Sequence, residues 1–170
     1  MAPRCRLYHA VDMSAVTRIA PSGTRNLRKG RVSIPNQIYH VTTRTRDYSP
    51  VFADLRAGRI LIDRLRCEEE RGRASTIAFV VMPDHLHWLL QLTGHYSLSR
   101  VVNDVKANAA RLINNVTEKK GPLWQRGFYD RAIRNDEDLI AVSRYIVANP
   151  LRAGIVKSVR DYALWDSIWV

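Results

Sequence analysis

Val80-Val81-Met82-Pro83-Asp84-His85-Leu86-His87-Trp88-Leu89-Leu90-Gln91-Leu92 is the stretch on which the fold turns. Two apolar runs, 76–82 and 85–92, are separated by Pro83-Asp84. Proline fixes the dihedral that opens a tight turn, and Asp tolerates the position after it. The stretch therefore predicts an antiparallel hairpin. A strand turns successive side chains to opposite faces, so His85 and His87 leave one face together while Leu86 goes to the other. Trp88 belongs in the core, because its strand partners are apolar. Two imidazoles side by side on a stiff strand are half of a metal site. On spacing alone, they are as well read as one solvent-facing histidine and one packed under a loop.

Outward from the hairpin, residues 38–44 are rich in β-branched and aromatic side chains and predict a strand. Residues 54–72 carry a helical apolar pattern, with Asp54 as N-cap and Gly72 as the stop. Residues 97–117 place Leu98, Val101, Val102, Val105, Ala109, Leu112, Ile113 and Val116 on one face of a long helix. Ser97 or Ser99 caps this helix, and Gly121-Pro122 ends it. A strand is expected over 128–134. Asn135 then caps a helix from Asp136 through Asn149, with Asp136, Glu137 and Asp138 at its positive end and Pro150 as its limit. The tail, with Trp165 and Trp169, docks as a short strand or turn. The order strand–helix–strand–strand–helix–strand predicts an α+β, ferredoxin-like antiparallel sheet with helices on its faces. The added C-terminal helix carries Tyr145. No internal repeat or low-complexity segment is visible.

The chain has 170 residues and a formal charge of +11, with a pI near 10.3. One domain is expected over 34–170, preceded by a basic, irregular arm over 1–33. Residues 1–31 hold seven basic side chains against one acid, Asp12, so more than half of the net charge sits on the arm. Such a balance favours a polyanionic partner, nucleic acid first and an anionic membrane second. No apolar run approaches the roughly 18–20 residues that span a bilayer. The N-terminus lacks the apolar stretch of a secretory signal. Cys5 and Cys67 form neither a ligand spacing nor a disulfide framework, which suits a reducing cytoplasm. A Gly-rich phosphate loop is absent, so no nucleotide cofactor is expected.

The histidine pair needs further partners. His40, on the first strand, is a candidate ligand or outer support, or else a satisfied core histidine. Tyr145 and Asn149 are four apart and share a helix face. Two imidazoles and an amide oxygen would suit Mg²⁺ or Mn²⁺ and leave positions for phosphate oxygens. A phenol has an ordinary pKa of about 10 and needs activation to attack at neutral pH. On this helix alone, the stronger reading is that Tyr145 is an amphipathic core residue and Asn149 a C-cap before Pro150. Asp130 is equally an outer acceptor for a ligating histidine or an ion-pair partner of Arg131. Arg44, Arg46, Lys106, Arg126, Arg131 and Arg134, with Trp124 as a stacking platform, are the candidate DNA contacts.

His85-Leu86-His87 resembles the His–hydrophobic–His signature of the HUH single-strand DNA nucleases, and Val81-Met82-Pro83-Asp84 before it looks like the single-tyrosine transposase version. Trp124-Gln125-Arg126-Gly127-Phe128-Tyr129-Asp130, Tyr145-Ile146-Val147-Ala148-Asn149-Pro150 and Arg152-Ala153-Gly154 resemble the REP-associated tyrosine transposases. These are bacterial relatives of insertion-sequence transposases, linked to short palindromic repeats. The blocks occur in the family's order and cover roughly residues 34–158. The resemblance implies that His85 and His87 hold a divalent metal and that Asn149 stands at the third ligand's place, where some members carry Gln. It implies that Tyr145 attacks a DNA phosphate, joins the 5′ phosphate and releases a 3′ hydroxyl. Single-stranded or hairpin DNA would be the partner, at a bacterial nucleoid, with the protein either a monomer or a homodimer. The arm before residue 32 has no counterpart in the pattern, and Met13 is an alternative start. Two other readings stand beside this one. The first is a non-catalytic module that binds palindromic or hairpin DNA on the same fold. The second is a metallohydrolase of a small substrate, which the basic charge and the lack of further acids near the histidines disfavour.

Overall fold

A computed structural model describes residues 33–134 and 138–169. The elements are β1 (Ile38–Arg44), α1 (Leu55–Glu70), β2 (Ala74–Met82), β3 (His85–Leu92), α2 (Leu98–Thr117), β4 (Tyr129–Ala132), α3 (Leu139–Val147), α4 (Asn149–Arg152) and β5 (Trp165–Ser167). One antiparallel sheet runs β4-β1-β3-β2-β5. The first four strands have the ferredoxin-like order that the element sequence implies. The tail supplies the fifth, along the outer edge of β2.

The helix starts follow local chemistry. Asp54 Oδ1 accepts from the Arg56 N–H at 2.7 Å, and Ser97 Oγ from the Arg100 N–H at 3.2 Å. Each side chain satisfies a donor that the first turn leaves without an intrahelical partner. Asp138 Oδ1 does the same for Ile140 and Ala141 at the start of α3. The expected cap Asn135, with Asp136 and Glu137, lies outside the described residues, as do Cys5 and the basic arm as far as residue 32. α2 ends at Thr117 as expected, where Glu118 turns left-handed (φ 54°) ahead of Gly121-Pro122; the other helix end differs. The tyrosine helix breaks at Ala148, and Pro150 sits in the first turn of α4 instead of ending α3. Proline is tolerated there because a first-turn N–H has no helical acceptor.

The sheet has two unlike faces. α1 and α2 close one of them over Val41, Phe79, Val81, Leu86, Trp88, Leu90 and Leu92. On the other face, Leu139 and Ile146 of α3 pack with Ile77, Val80, Met82 and Leu89. The same face, traced across β3, β1 and β4, carries His85, His87, His40, Thr42, Arg44, Tyr129 and Arg131 by strand register.

Candidate active site

The hairpin turn sets the histidines. The Pro83 carbonyl accepts from the Phe52 N–H at 2.9 Å, and the Asp84 carbonyl from the Thr45 N–H at 2.8 Å, so both turn residues are fastened to the segment after β1. The Asp84 carboxylate stands 2.5 Å from His85 Nδ1. One strand position further along that face, His87 Nδ1 lies 3.0 Å from Thr42 Oγ1 and 3.1 Å from His40 Nε2. The His85 and His87 rings meet edge to face, with centroids 4.9 Å apart. Both rings use Nδ1 within the protein, and Nε2 is the nitrogen each has left to offer.

Electrostatics favour neutral rings. Burial, reinforced by His40, His85, Arg44 and Arg152, pushes His87 down to about 3. Burial and then Arg131 push His40 down to about 4. A metal ligand must be unprotonated on the binding nitrogen, and outer partners that fix the other nitrogen set its tautomer and direction. With protonated Nδ1, His85 donates to Asp84 and His87 to Thr42 or His40. The donor set at His85 and His87 fits a divalent ion.

Tyr145 is 59% exposed on α3. Asn149 opens α4, and its Nδ2 donates to the Ile146 carbonyl at 2.8 Å. Its Oδ1 accepts from Arg152 Nη2 at 2.7 Å, so it would join a metal through its second lone pair. Among the described residues no group of three His, Cys, Asp or Glu side chains is placed to hold a metal ion, so a third ligand would be an amide, a water or a phosphate oxygen.

The family model described as "Transposase IS200 like" matches residues 33–149. The chain belongs to the IS200-like transposase family. It is 31% identical over 87 residues to the REP-associated tyrosine transposase of Escherichia coli (strain K12), covering 50% of this chain and 49% of that protein. It is 29% identical over 97 residues to a Haemophilus influenzae protein provisionally given the same name, covering 51% of this chain and 55% of the relative. The chain thus spans about half the length of the curated relatives it matches. A solved REP-associated tyrosine transposase, bound to a REP hairpin, shares the fold at a TM-score of 0.66. That match has 24% identity and covers 79% of each chain.

Within this IS200-like transposase, several expected site residues take other positions. Asp130 pairs with Val41 in register, which puts it on the α1–α2 side of the sheet, away from the histidines. The carboxylate beside the pair is Asp84. Lys106 is 8% exposed, and its ammonium donates to the carbonyls of Gln125 (3.0 Å) and Gly127 (2.5 Å). Burial lowers its pKa to about 8. Trp124 is 9% exposed, packs on Phe52 and donates Nε1–H to the Lys106 carbonyl at 2.9 Å. Both are interior braces for the segment before β4, and neither is the exposed side chain that the sequence suggested. Arg46, Arg126, Arg131 and Arg134 are exposed. Half-buried Arg44 lies 4.0 Å from Asp84 and over the Tyr48 ring. Asp84, Thr42 and Arg152 are the site residues that sequence reasoning missed. Asp84 was legible as the neighbour of His85, but a turn role already accounted for it. No helix among the described residues is long and apolar enough to cross a membrane.

Proposed function

We propose that this chain nicks and rejoins single-stranded or hairpin DNA, using Tyr145 as nucleophile beside a Mg²⁺ or Mn²⁺ site at His85 and His87, with Asn149 as the third protein ligand. The observation that carries this reading is the histidine pair itself. Two rings on one strand face have Nδ1 fixed by Asp84 and by Thr42 and His40, with Nε2 left on both. Pairing of that kind costs burial of polar groups, which a plain structural strand avoids with apolar side chains.

The chemistry balances without a nucleotide. The Tyr145 Oη forms a bond to the scissile phosphorus as the P–O3′ bond breaks, and its proton goes to solvent. The 3′ oxygen leaves and takes up a proton, and the 5′ phosphate stays on the tyrosine. Attack by a 3′ hydroxyl on that link reverses the step and joins strands, because the diester-like bond has been kept. A bound divalent ion would draw charge from the phosphate and stabilise the crowded transition state. Exposed Arg126, Arg131 and Arg134 would hold the DNA backbone. Action on REP-like hairpins at a bacterial nucleoid belongs to the same proposal.

The test is incubation of labelled hairpin oligonucleotides with Mg²⁺ or Mn²⁺, followed by denaturing electrophoresis. Wild type is expected to give a covalent protein–DNA adduct and Tyr145→Phe none. An adduct in Tyr145→Phe would move the nucleophile elsewhere, Tyr129 first, since it is 56% exposed and shares the histidine face. Tight hairpin binding with no adduct on any substrate would make the chain a binding module.

A further inference from the structure

The corner between α3 and α4 is held by two side chains, Asn149 and Arg152. Pro150 has no N–H, so the Ile146 carbonyl loses its helical donor, and Asn149 Nδ2 takes that role. The Tyr145 carbonyl accepts from Arg152 Nη1 at 2.7 Å. The same guanidinium donates from Nη2 to Asn149 Oδ1 at 2.7 Å. Its Cζ lies 3.7 Å from the centroid of the Tyr145 ring, a face-on stacking distance. One cation therefore touches the nucleophile's ring and orients the amide at the third ligand's place. A corner brace alone would need only the bond to the Tyr145 carbonyl.

We propose that Arg152 is a positioning residue of the cleavage site, one that fixes the Tyr145 ring and the Asn149 amide at the expense of metal affinity. The inference rests on the Tyr145 and metal reading above. A guanidinium has five N–H donors, of which two are taken up here. The remaining donors suit the oxygens of a phosphate brought to Tyr145. Its positive charge beside Asn149 opposes a divalent cation at that ligand, so the two effects of removing it have opposite signs.

The experiment measures Mn²⁺ affinity of the DNA-free chain by electron paramagnetic resonance, and adduct formation on a labelled hairpin at saturating Mn²⁺. Arg152→Ala is expected to bind Mn²⁺ about threefold to tenfold more tightly, as loss of a nearby like charge requires. It should form adduct at least tenfold more slowly, on the scale of a lost positioning contact. Arg152→Lys should return Mn²⁺ affinity towards wild type, because the charge is back. Adduct formation should stay slow, because an ammonium cannot stack and fork as a guanidinium does. Arg152→Gln gives the same comparison with a polar side chain should the alanine variant fold poorly, as judged by thermal melting. Unchanged or weaker Mn²⁺ binding in the neutral variants, or an unchanged adduct rate, overturns the role of Arg152 and leaves the site reading intact. Mn²⁺ binding that survives His85→Ala and His87→Ala, or is absent in wild type, overturns the site reading and this inference with it.

Discussion

Leu86 and His87 are neighbours in the chain and differ in almost every physical respect. Leu86 is 1% exposed, with Trp88, Leu90 and Leu92 behind it, in a face closed by two long helices. His87 looks the other way, into a half-buried row of hydrogen-bonding side chains beside the tyrosine helix. The strand's period of two thus separates an apolar face closed by α1 and α2 from the face that carries the histidine row. On the closed face the Trp88 indole N–H donates to Thr76 Oγ1 at 3.2 Å, which lets a large aromatic side chain be buried there with its one donor satisfied.

That separation can be broken by substitution on the two sides of β3. Trp88→Ala is expected to cost about 3–5 kcal/mol, the range for deleting a large buried aromatic side chain. His87→Ala should lower the melting midpoint far less, yet remove Mn²⁺ binding and adduct formation. Comparable losses of stability in both variants, by denaturant titration, would mean the faces are not divided in this way. A smaller effect concerns the support beneath the histidines. Asp84→Asn keeps the turn and removes the carboxylate, and outer partners of this kind are worth about 10–100-fold in metal affinity. Isothermal titration with Mn²⁺ reads that loss, while melting should move little. Undiminished affinity would strip Asp84 of its orienting role.

The gentlest probe is pH. His40 at about 4 and His87 at about 3 both lie below the ordinary 6.5, so the unfolded chain takes up protons first as pH falls. Stability from these two groups is therefore full above about 6.5 and declines as pH drops through that value towards the folded ones. Melting midpoints measured between pH 8 and 4 should show the decline, and His40→Asn with His87→Asn should flatten it. A flat wild-type profile would show that the row is not held neutral by burial.

Much of this was legible in the sequence because it rests on short-range rules. Pro83-Asp84 dictates the hairpin, alternation puts His85 and His87 together, and Asp54 and Ser97 cap the helices expected of them. What escaped depended on contacts between distant segments. Lys106 looked like a surface charge, since a lone basic residue gives no sign of whether water or a carbonyl meets its ammonium. One signal was available: it follows Val102 by four and precedes Ala109 by three, which places it on the apolar stripe of α2. Asp130 could not be assigned a face without knowing the register of β4 against β1. Tyr145 and Asn149 were expected along one continuous helix. The chain breaks between them at Ala148, and their neighbourhood survives because side chains of Asn149 and Arg152 take over the vacant carbonyls.

The three-residue strand β5 pairs with Ala78, Phe79 and Val80 of β2, residues that are all buried. Without it, the outer rim of β2 would offer a row of free backbone donors and acceptors flanked by apolar side chains, the template on which chains zip together into aggregates. The opposite rim is the four-residue strand β4, where exposed Arg131 discourages such stacking. The strand Trp165–Ser167 therefore governs solubility, and a chain trimmed before Trp165 would precipitate.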